Sequence, residues 1–96
     1  MNMQEFESTG AFVEVCLLNG EVLRALPAKI DLVSMKAEQP AKYYLRIDES
    51  GRSLGRPALA FSSGDVDFDA AAYTWIVESG LPAGLPAGLF EMSVYP

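Results

Sequence analysis

Asn19-Gly20 separates two segments rich in β-forming residues, residues 12–18 (FVEVCLL) and residues 21–26 (EVLRAL). Asn and Gly tolerate the positive φ angles that a type I′ turn requires at both of its central positions. An Asn-Gly pair between two apolar segments is therefore the strongest short signal for a β-hairpin. The sequence predicts two antiparallel strands here, joined by a two-residue loop.

The two-residue loop would fix the register of the hairpin and hence its two faces. In that register Leu17 faces Val22, and Val15 faces Arg24. The predicted core face, interrupted only by Arg24, carries Val13, Val15, Leu17, Val22 and Leu26. The other face is too apolar to be freely solvated, so we expect another part of the chain or a partner to cover it. That face carries Phe12, Glu14, Cys16, Leu18, Glu21, Leu23 and Ala25.

Four further segments are predicted strands. Residues 42–48 alternate most clearly and indicate a strand with one buried and one wet face. Tyr43, Leu45 and Ile47 lie on the buried face; Lys42, Tyr44, Arg46 and Asp48 lie on the wet face. Residues 29–35 and residues 58–62 are shorter or less regular candidates. Residues 89–95 form the last strand, with Phe90, Met92 and Val94 facing the core, and we expect it at an open edge of the sheet.

Residues 69–79 favour a short helix. Asp67 or Asp69 would be the N-cap and Gly80 the C′ residue. Four apolar side chains then share one helical face: Phe68, Ala72, Trp75 and Ile76. The alternative makes residues 73–77 (YTWIV) a strand, because all five residue types favour β structure. The repeat at residues 80–88 (GLPAGLPAG) is too rich in proline for either element and predicts a shaped loop with Leu81 and Leu85 inward.

These elements predict a single α+β domain over residues 1–96, with a mostly antiparallel sheet of five or six strands and one short helix. An all-β sandwich is the alternative. Half of the 96 residues are apolar, which suits one folded core and excludes a disordered chain. Residues 1–10 look like a polar lead-in without the features of a signal peptide. The apolar runs are too short to span a bilayer, so we expect no membrane association. The lone Cys16 fits a reducing compartment, so the chain is expected to be cytoplasmic.

The charge of the chain is −6 and is unevenly distributed. Residues 61–96 hold five acids and no base: Asp65, Asp67, Asp69, Glu78 and Glu91. Phosphate backbones are bound by clustered Lys and Arg, so direct binding of nucleic acid is not expected. A basic protein surface is a better match for this end of the chain.

The residues that ordinary active sites need are missing from the sequence. There is no histidine, which removes the Ser-His and Cys-His pairs and the usual base at neutral pH. One cysteine cannot supply a zinc site, and the common phosphate-binding glycine motifs do not occur. Asp65, Asp67 and Asp69 resemble the start of an EF-hand calcium loop over five residues, but Ala70 stands where that loop needs glycine. We therefore expect no enzyme activity, no metal and no cofactor, and interpret the three aspartates as a capped helix start.

Two functional hypotheses remain. In the first, the chain is a protein–protein interaction or assembly module, of the kind that viral or phage shells use, and it pairs with itself or a larger complex through apolar surface and open sheet edges. In the second, it is an acidic inhibitor that occupies the basic surface of a nucleic-acid-handling protein. The candidate partner-binding residues are Asp65, Asp67, Asp69, Glu78, Tyr44, Glu14 and Glu21.

Overall fold

A computed structural model describes residues 11–32 and 34–96 of the chain. These residues form five strands and one helix. In chain order they are β1 (Phe12–Leu17), β2 (Val22–Pro27), β3 (Ala41–Ile47), β4 (Ala58–Phe61), α1 (Val66–Glu78) and β5 (Gly88–Tyr95). The strands make one antiparallel sheet in the order β2-β1-β5-β3-β4. The predicted β-dominated α+β fold is confirmed, and the all-β alternative is wrong. The expectations for residues 1–10 lie outside the described residues.

The last strand lies in the middle of the sheet. β5 pairs with β1 on one side and with β3 on the other, so the expectation that it lies at an open edge is wrong. Its predicted inward set is confirmed, because Phe90, Met92 and Val94 are buried. Ser93, on the opposite face, is also buried. A strand buried on both faces needs ladder partners on both sides to satisfy its backbone, which an edge position does not give.

One face of the sheet packs against α1 and forms the core. Phe68, Ala72 and Ile76 lie one helical turn apart on the buried side of α1 and are fully inaccessible to solvent. They pack against the inward residues of β1, β3 and β5. Leu81 and Leu85 of the proline-rich repeat close one end of this core, as predicted. We call this side of the sheet the inner face and the opposite side the outer face.

The segment after β2 is irregular rather than a third strand. Residues 28–40 contain no strand among those that the structure describes, and Val33 lies outside the description. Ile30 is buried in the core, while Leu32 and Met35 pack against it in part. The apolar residues that suggested a strand therefore contact the core individually, from a segment whose backbone turns at Ser34, where φ is +76°.

The hairpin turn differs from the predicted type I′ turn by one residue. The Leu17 N–H donates to the Glu21 carbonyl at 2.9 Å, and the Gly20 N–H donates to the Leu17 carbonyl at 2.9 Å, so the loop has three residues. Gly20 has positive φ (+92°) and Asn19 does not. This is the pattern of a three-residue hairpin loop that ends in a residue with positive φ.

The longer loop shifts the pairing at the turn end of the hairpin. Val15 faces Arg24 as predicted, but Cys16 rather than Leu17 faces Val22, with a bulge between the two pairs. Val22 consequently shares the outer face with Cys16 and is 47% exposed instead of lying in the core.

Replacing Gly20 with valine is expected to lower the free energy of unfolding by about 1–3 kcal/mol. A β carbon at position 20 would meet no atom within 4 Å, so the cost is the backbone strain of a β-branched residue at positive φ. Urea unfolding measures it. Gly20→Asn is the matched control, because asparagine tolerates positive φ, and it should lose less stability. Equal stability of the valine variant and the wild type would contradict the turn geometry.

Candidate interaction surface

The two edges of the sheet are poor sites for pairing with another chain. In β2, Leu23 is the extra residue of the bulge, and Pro27 ends the strand. The Ala28 N–H bonds to the Ala11 carbonyl, so the backbone of the preceding residue, Pro27, faces outward from the sheet. Because proline has no N–H, the free edge of β2 has no hydrogen-bond donor at that position. β4 has only four residues, a bulge at Ala60 and Pro57 just before it. Short strands, bulges and prolines are the usual protection of exposed edges.

The carboxylate of Asp65 is used inside the chain. Asp65, rather than Asp67 or Asp69, is the N-cap of α1, so the helix begins three residues before the predicted range. Its Oδ1 accepts from the backbone N–H groups of Asp67 at 2.9 Å and Phe68 at 3.4 Å, and its Oδ2 accepts from the Lys36 N–H at 2.5 Å. The bond from Lys36, followed by those from the first turn, holds the pKa of Asp65 below its usual value.

Asp69 is also used inside the chain, one turn further along α1. Its side chain is largely buried, and its carboxylate accepts from the Ser62 hydroxyl and, at 2.8 Å, from the Ser63 N–H. Burial would raise the pKa of Asp69, but the hydrogen bonds from Ser62 and Ser63 outweigh it and hold that pKa below its usual value. Asp69 therefore connects the end of β4 to the first turn of the helix.

The predicted partner-binding residues do not form one patch. Of the three aspartates only Asp67 points freely into solvent. Glu78 is exposed at the far end of α1, about 16 Å along the helix axis. Glu21 is exposed beside the hairpin loop. The acidic end of the chain thus offers a thinner negative surface than the sequence suggests, because two of its carboxylates hold the fold together.

Tyr44 and Glu14 lie on the outer face, which carries mixed charges. Tyr44 is 38% exposed, and Glu14 is half-buried. Lys42 Nζ lies 3.9 Å from Glu91 Oε1 and 5.9 Å from the centre of the Phe61 ring. Elsewhere on this face the rings of Phe12 and Tyr95 stack 4.7 Å apart. Cys16 is buried here, and burial, followed by the charges of Glu14 and Glu91, raises the pKa of its thiol, which keeps it protonated and unreactive.

A second apolar line runs along α1 beside the buried one, and one of its residues, Tyr73, also packs against the core. Val66, Ala70, Tyr73 and Val77 follow one another at intervals of four, three and four residues, which places them on one side of the helix. Val66 is 80% exposed and Val77 53% exposed, and Ala70 is exposed as well. Tyr73 is half-buried, with its ring 6.0 Å from that of Tyr43. We call these four residues the helix stripe.

The helix stripe continues into neighbouring apolar surface. An open groove of about 430 Å³ lies between Tyr73 and Val77 on one side and Gly55, Arg56 and Pro57 on the other. On the inner face, Leu59 of β4 pairs with Tyr43 and is 49% exposed. A larger groove on the opposite flank of α1 contains Trp75, which also packs against the core.

Sequence reasoning missed the helix stripe because it looked for one apolar face only. The signal was present: nine of the thirteen residues of α1 are apolar, more than one buried face needs. The apolar residues of α1 therefore extend beyond its buried side, while Asp67, Thr74 and Glu78 form a polar side.

The described part of the chain gives no sign of other binding chemistry. No three side chains of His, Cys, Asp or Glu within residues 11–32 and 34–96 are grouped so that they could hold a metal ion. Among the described residues, no helix is long and apolar enough to cross a membrane. Comparison with protein-family models, with curated proteins and with solved structures finds no match for this chain.

Proposed function

We propose that this chain is a non-catalytic protein–protein interaction or assembly module that docks through the helix stripe. The observation that carries the proposal is the exposure of Val66 and Val77 on a helix that already buries another line of apolar side chains in the core. Burying a valine side chain contributes about 1.5–3 kcal/mol to association or folding. A partner that covers the stripe gains this energy, while the isolated chain does not.

The hydrogen bonds that Asp65 and Asp69 accept support a non-catalytic role. A carboxyl group that serves as general acid or base needs a pKa near the working pH. Asp65 and Asp69 have pKa values below the usual one, because the hydrogen bonds that they accept favour the charged form. They are therefore permanent acceptors that cap the helix and tie it to the end of β4.

Because the sheet edges are protected, the helix is the better candidate for the docking surface. From the sequence, the assembly hypothesis is based partly on open sheet edges that could pair with another chain. The bulges and prolines at β2 and β4 make such pairing unfavourable. The helix stripe needs no backbone pairing, because the helix satisfies its own hydrogen bonds. A helical stripe with four residues at this spacing is a typical surface for packing against another helix.

A photo-reactive amino acid at position 77, or at position 66, tests the proposal in an extract of the native source. We expect illumination to give a cross-linked product of defined mass at both positions. The control is the same amino acid at Glu49, which is exposed in the turn after β3, remote in sequence from α1. Products at position 49 only, or none at all, would contradict docking through the helix stripe.

The acidic-inhibitor hypothesis keeps one supporting observation. Asp67 and Glu78 are exposed on α1 beside the stripe, and no base lies in residues 61–96. Salt separates the two functions in the same experiment, because charge attraction between exposed groups is screened. A yield that falls steeply between low and high salt favours a basic partner, whereas a yield that is insensitive to salt favours apolar docking.

A further inference from the structure

We infer that Asn19 is a site of spontaneous deamidation, and that the closed hairpin loop suppresses the reaction until the loop opens. The inference goes beyond the proposed function, because it concerns the hairpin rather than the helix stripe. It rests on the exposure of Asn19 and Gly20, on the open space around Gly20, and on the hydrogen bonds that hold both residues in the loop.

The reaction needs only the side chain of Asn19, the backbone of Gly20 and water. The Gly20 nitrogen loses its proton to solvent and attacks Cγ of Asn19. A C–N bond forms, and the side-chain amide takes up a proton and leaves as ammonia, which gives a five-membered cyclic imide. Water then opens one of the two C–N bonds of the ring. Cleavage next to Cγ gives aspartate, whereas cleavage next to the backbone carbonyl carbon gives isoaspartate, and no atom is oxidised or reduced.

The position suits this chemistry because nothing obstructs the attacking nitrogen. Gly20 has no side chain, and a β carbon placed there would meet no atom within 4 Å. Asn19 and Gly20 are both exposed at the end of the hairpin, so water and hydroxide reach them. The other asparagine of the sequence, Asn2, precedes Met3, whose side chain lies beside the nitrogen that would attack. Asn19 is therefore the more reactive of the two in an unfolded chain.

Hydrogen bonds of the closed loop oppose the first step. The Gly20 N–H donates to the Leu17 carbonyl at 2.9 Å, and this bond must break because the imide nitrogen carries no hydrogen. The Asn19 Oδ1 accepts from the Glu21 N–H at 2.9 Å, which holds the side-chain amide within the loop. The reaction therefore starts from chains with an open loop. Its rate is the fraction of such chains multiplied by the rate in an unfolded chain.

The two products affect the hairpin differently. Aspartate keeps an oxygen for the Glu21 N–H, so the loop closes again with a charge one unit more negative than the −6 of the unmodified chain. Isoaspartate adds one atom to the backbone of the loop. The bond from the Leu17 N–H to the Glu21 carbonyl and the pairing of Cys16 with Val22 then no longer fit the same register. The modification is irreversible, so it accumulates at a rate set by opening of the hairpin.

Incubation of the purified chain at mildly alkaline pH, folded and in guanidinium chloride, tests the inference. Cleavage after glutamate releases Asn19 in a peptide of residues 15–21 and Asn2 in a peptide of residues 1–5. Mass spectrometry detects the replacement of the amide NH₂ by OH, and chromatography separates the aspartate and isoaspartate peptides. We expect deamidation of Asn19 to be at least about tenfold faster in guanidinium chloride than in the folded chain. In guanidinium chloride Asn2 should react more slowly than Asn19.

Gly20→Ala separates the chemistry of the site from its protection by the loop. In guanidinium chloride its deamidation should be slower than that of the wild type, because a β carbon stands beside the attacking nitrogen. The ratio of the unfolded to the folded rate should fall by at least about threefold, because alanine at a φ of +92° strains the closed loop. Gly51→Ala is the matched control: it places the same strain, at a φ of +85°, in the turn after β3, and should leave the ratio unchanged.

Several results would overturn the inference. No conversion of Asn19 in guanidinium chloride would show that the site is unreactive, and equal rates in the folded and unfolded chains would show that the loop gives no protection. An equal fall of the ratio in Gly20→Ala and Gly51→Ala would show that the whole chain must unfold first. Aspartate without isoaspartate would show direct hydrolysis rather than ring formation. None of these results bears on cross-linking at positions 66 and 77, which tests the proposed function separately.

Discussion

Replacing Phe68 with alanine is expected to lower the free energy of unfolding by about 3–5 kcal/mol. Phe68 is fully buried on the core side of α1, one turn before Ala72 and two before Ile76. Its removal leaves a cavity between the helix and the sheet that the surrounding strands cannot fill without moving. Because a domain of this size has a total stability of about 5–15 kcal/mol, this loss is a large part of it, and the urea midpoint should fall well below that of the wild type.

Urea unfolding followed by tryptophan fluorescence measures this loss, since Trp75 lies on the same helix. Val66→Ala is the matched control: it shortens an apolar side chain on the same helix at a position that is 80% exposed, and it should change stability by less than about 0.5 kcal/mol. If Phe68→Ala and Val66→Ala lowered the free energy of unfolding by similar amounts, α1 would not pack against the sheet through the side that carries Phe68.

Asp69→Ala is expected to lower the free energy of unfolding by about 2–3 kcal/mol at pH 7. The change removes the acceptor of the buried Ser63 N–H and of the Ser62 hydroxyl. A buried donor left without a partner costs its full desolvation energy, which exceeds the net gain of an ordinary hydrogen bond. Asp69→Asn keeps one oxygen acceptor and should lose less.

The effect of Asp69 should also depend on pH in a defined direction. The pKa of Asp69 is lower in the folded chain than in the unfolded one, where it is about 4. The folded state therefore favours the charged form, and this contribution is fully present above the pKa of the unfolded chain. It is lost as the pH falls through the lower folded pKa, so the stability difference between wild type and Asp69→Ala should narrow below about pH 4.

Asp67→Ala is the matched control for this experiment. Asp67 lies two residues away on the first turn of the same helix, but its side chain is exposed. Its replacement should cost no more than about 0.3–1 kcal/mol through the helix dipole, at any pH above the acid range. A loss as large as that of Asp69→Ala would contradict the separate roles that the structure gives to these two carboxylates.

Strands with a simple alternation could be predicted from the sequence. Residues 42–48 and 89–95 have one apolar set each, and the structure buries those sets as expected. Residues 29–35 misled the prediction, because apolar residues in an irregular segment can contact a core as well as those in a strand. The place of β5 between β1 and β3 could not be read from its own residues, since strand order depends on pairing between distant segments.

The candidate site was predicted less well than the fold. The aspartates at positions 65 and 69 look like ordinary surface acids in the sequence, yet their carboxylates accept hydrogen bonds from Lys36, Ser62 and Ser63 within the fold. Those donors lie in other elements, and only the folded chain brings them near. The helix stripe could have been found, because the apolar residues of α1 exceed what one face can hold. Its exposure, however, depends on which side of α1 meets the sheet.

The central position of β5 determines when the sheet can form during synthesis on the ribosome. The β1–β2 hairpin and the β3–β4 pair emerge first, but each needs residues 88–95 to join it to the other. Until those residues leave the exit tunnel, the two half-sheets expose unpaired backbone groups and apolar side chains to solvent. The sheet can therefore close only after residues 88–95 have emerged, and a ribosome stalled before residue 88 would hold a nascent chain that chaperones recognise.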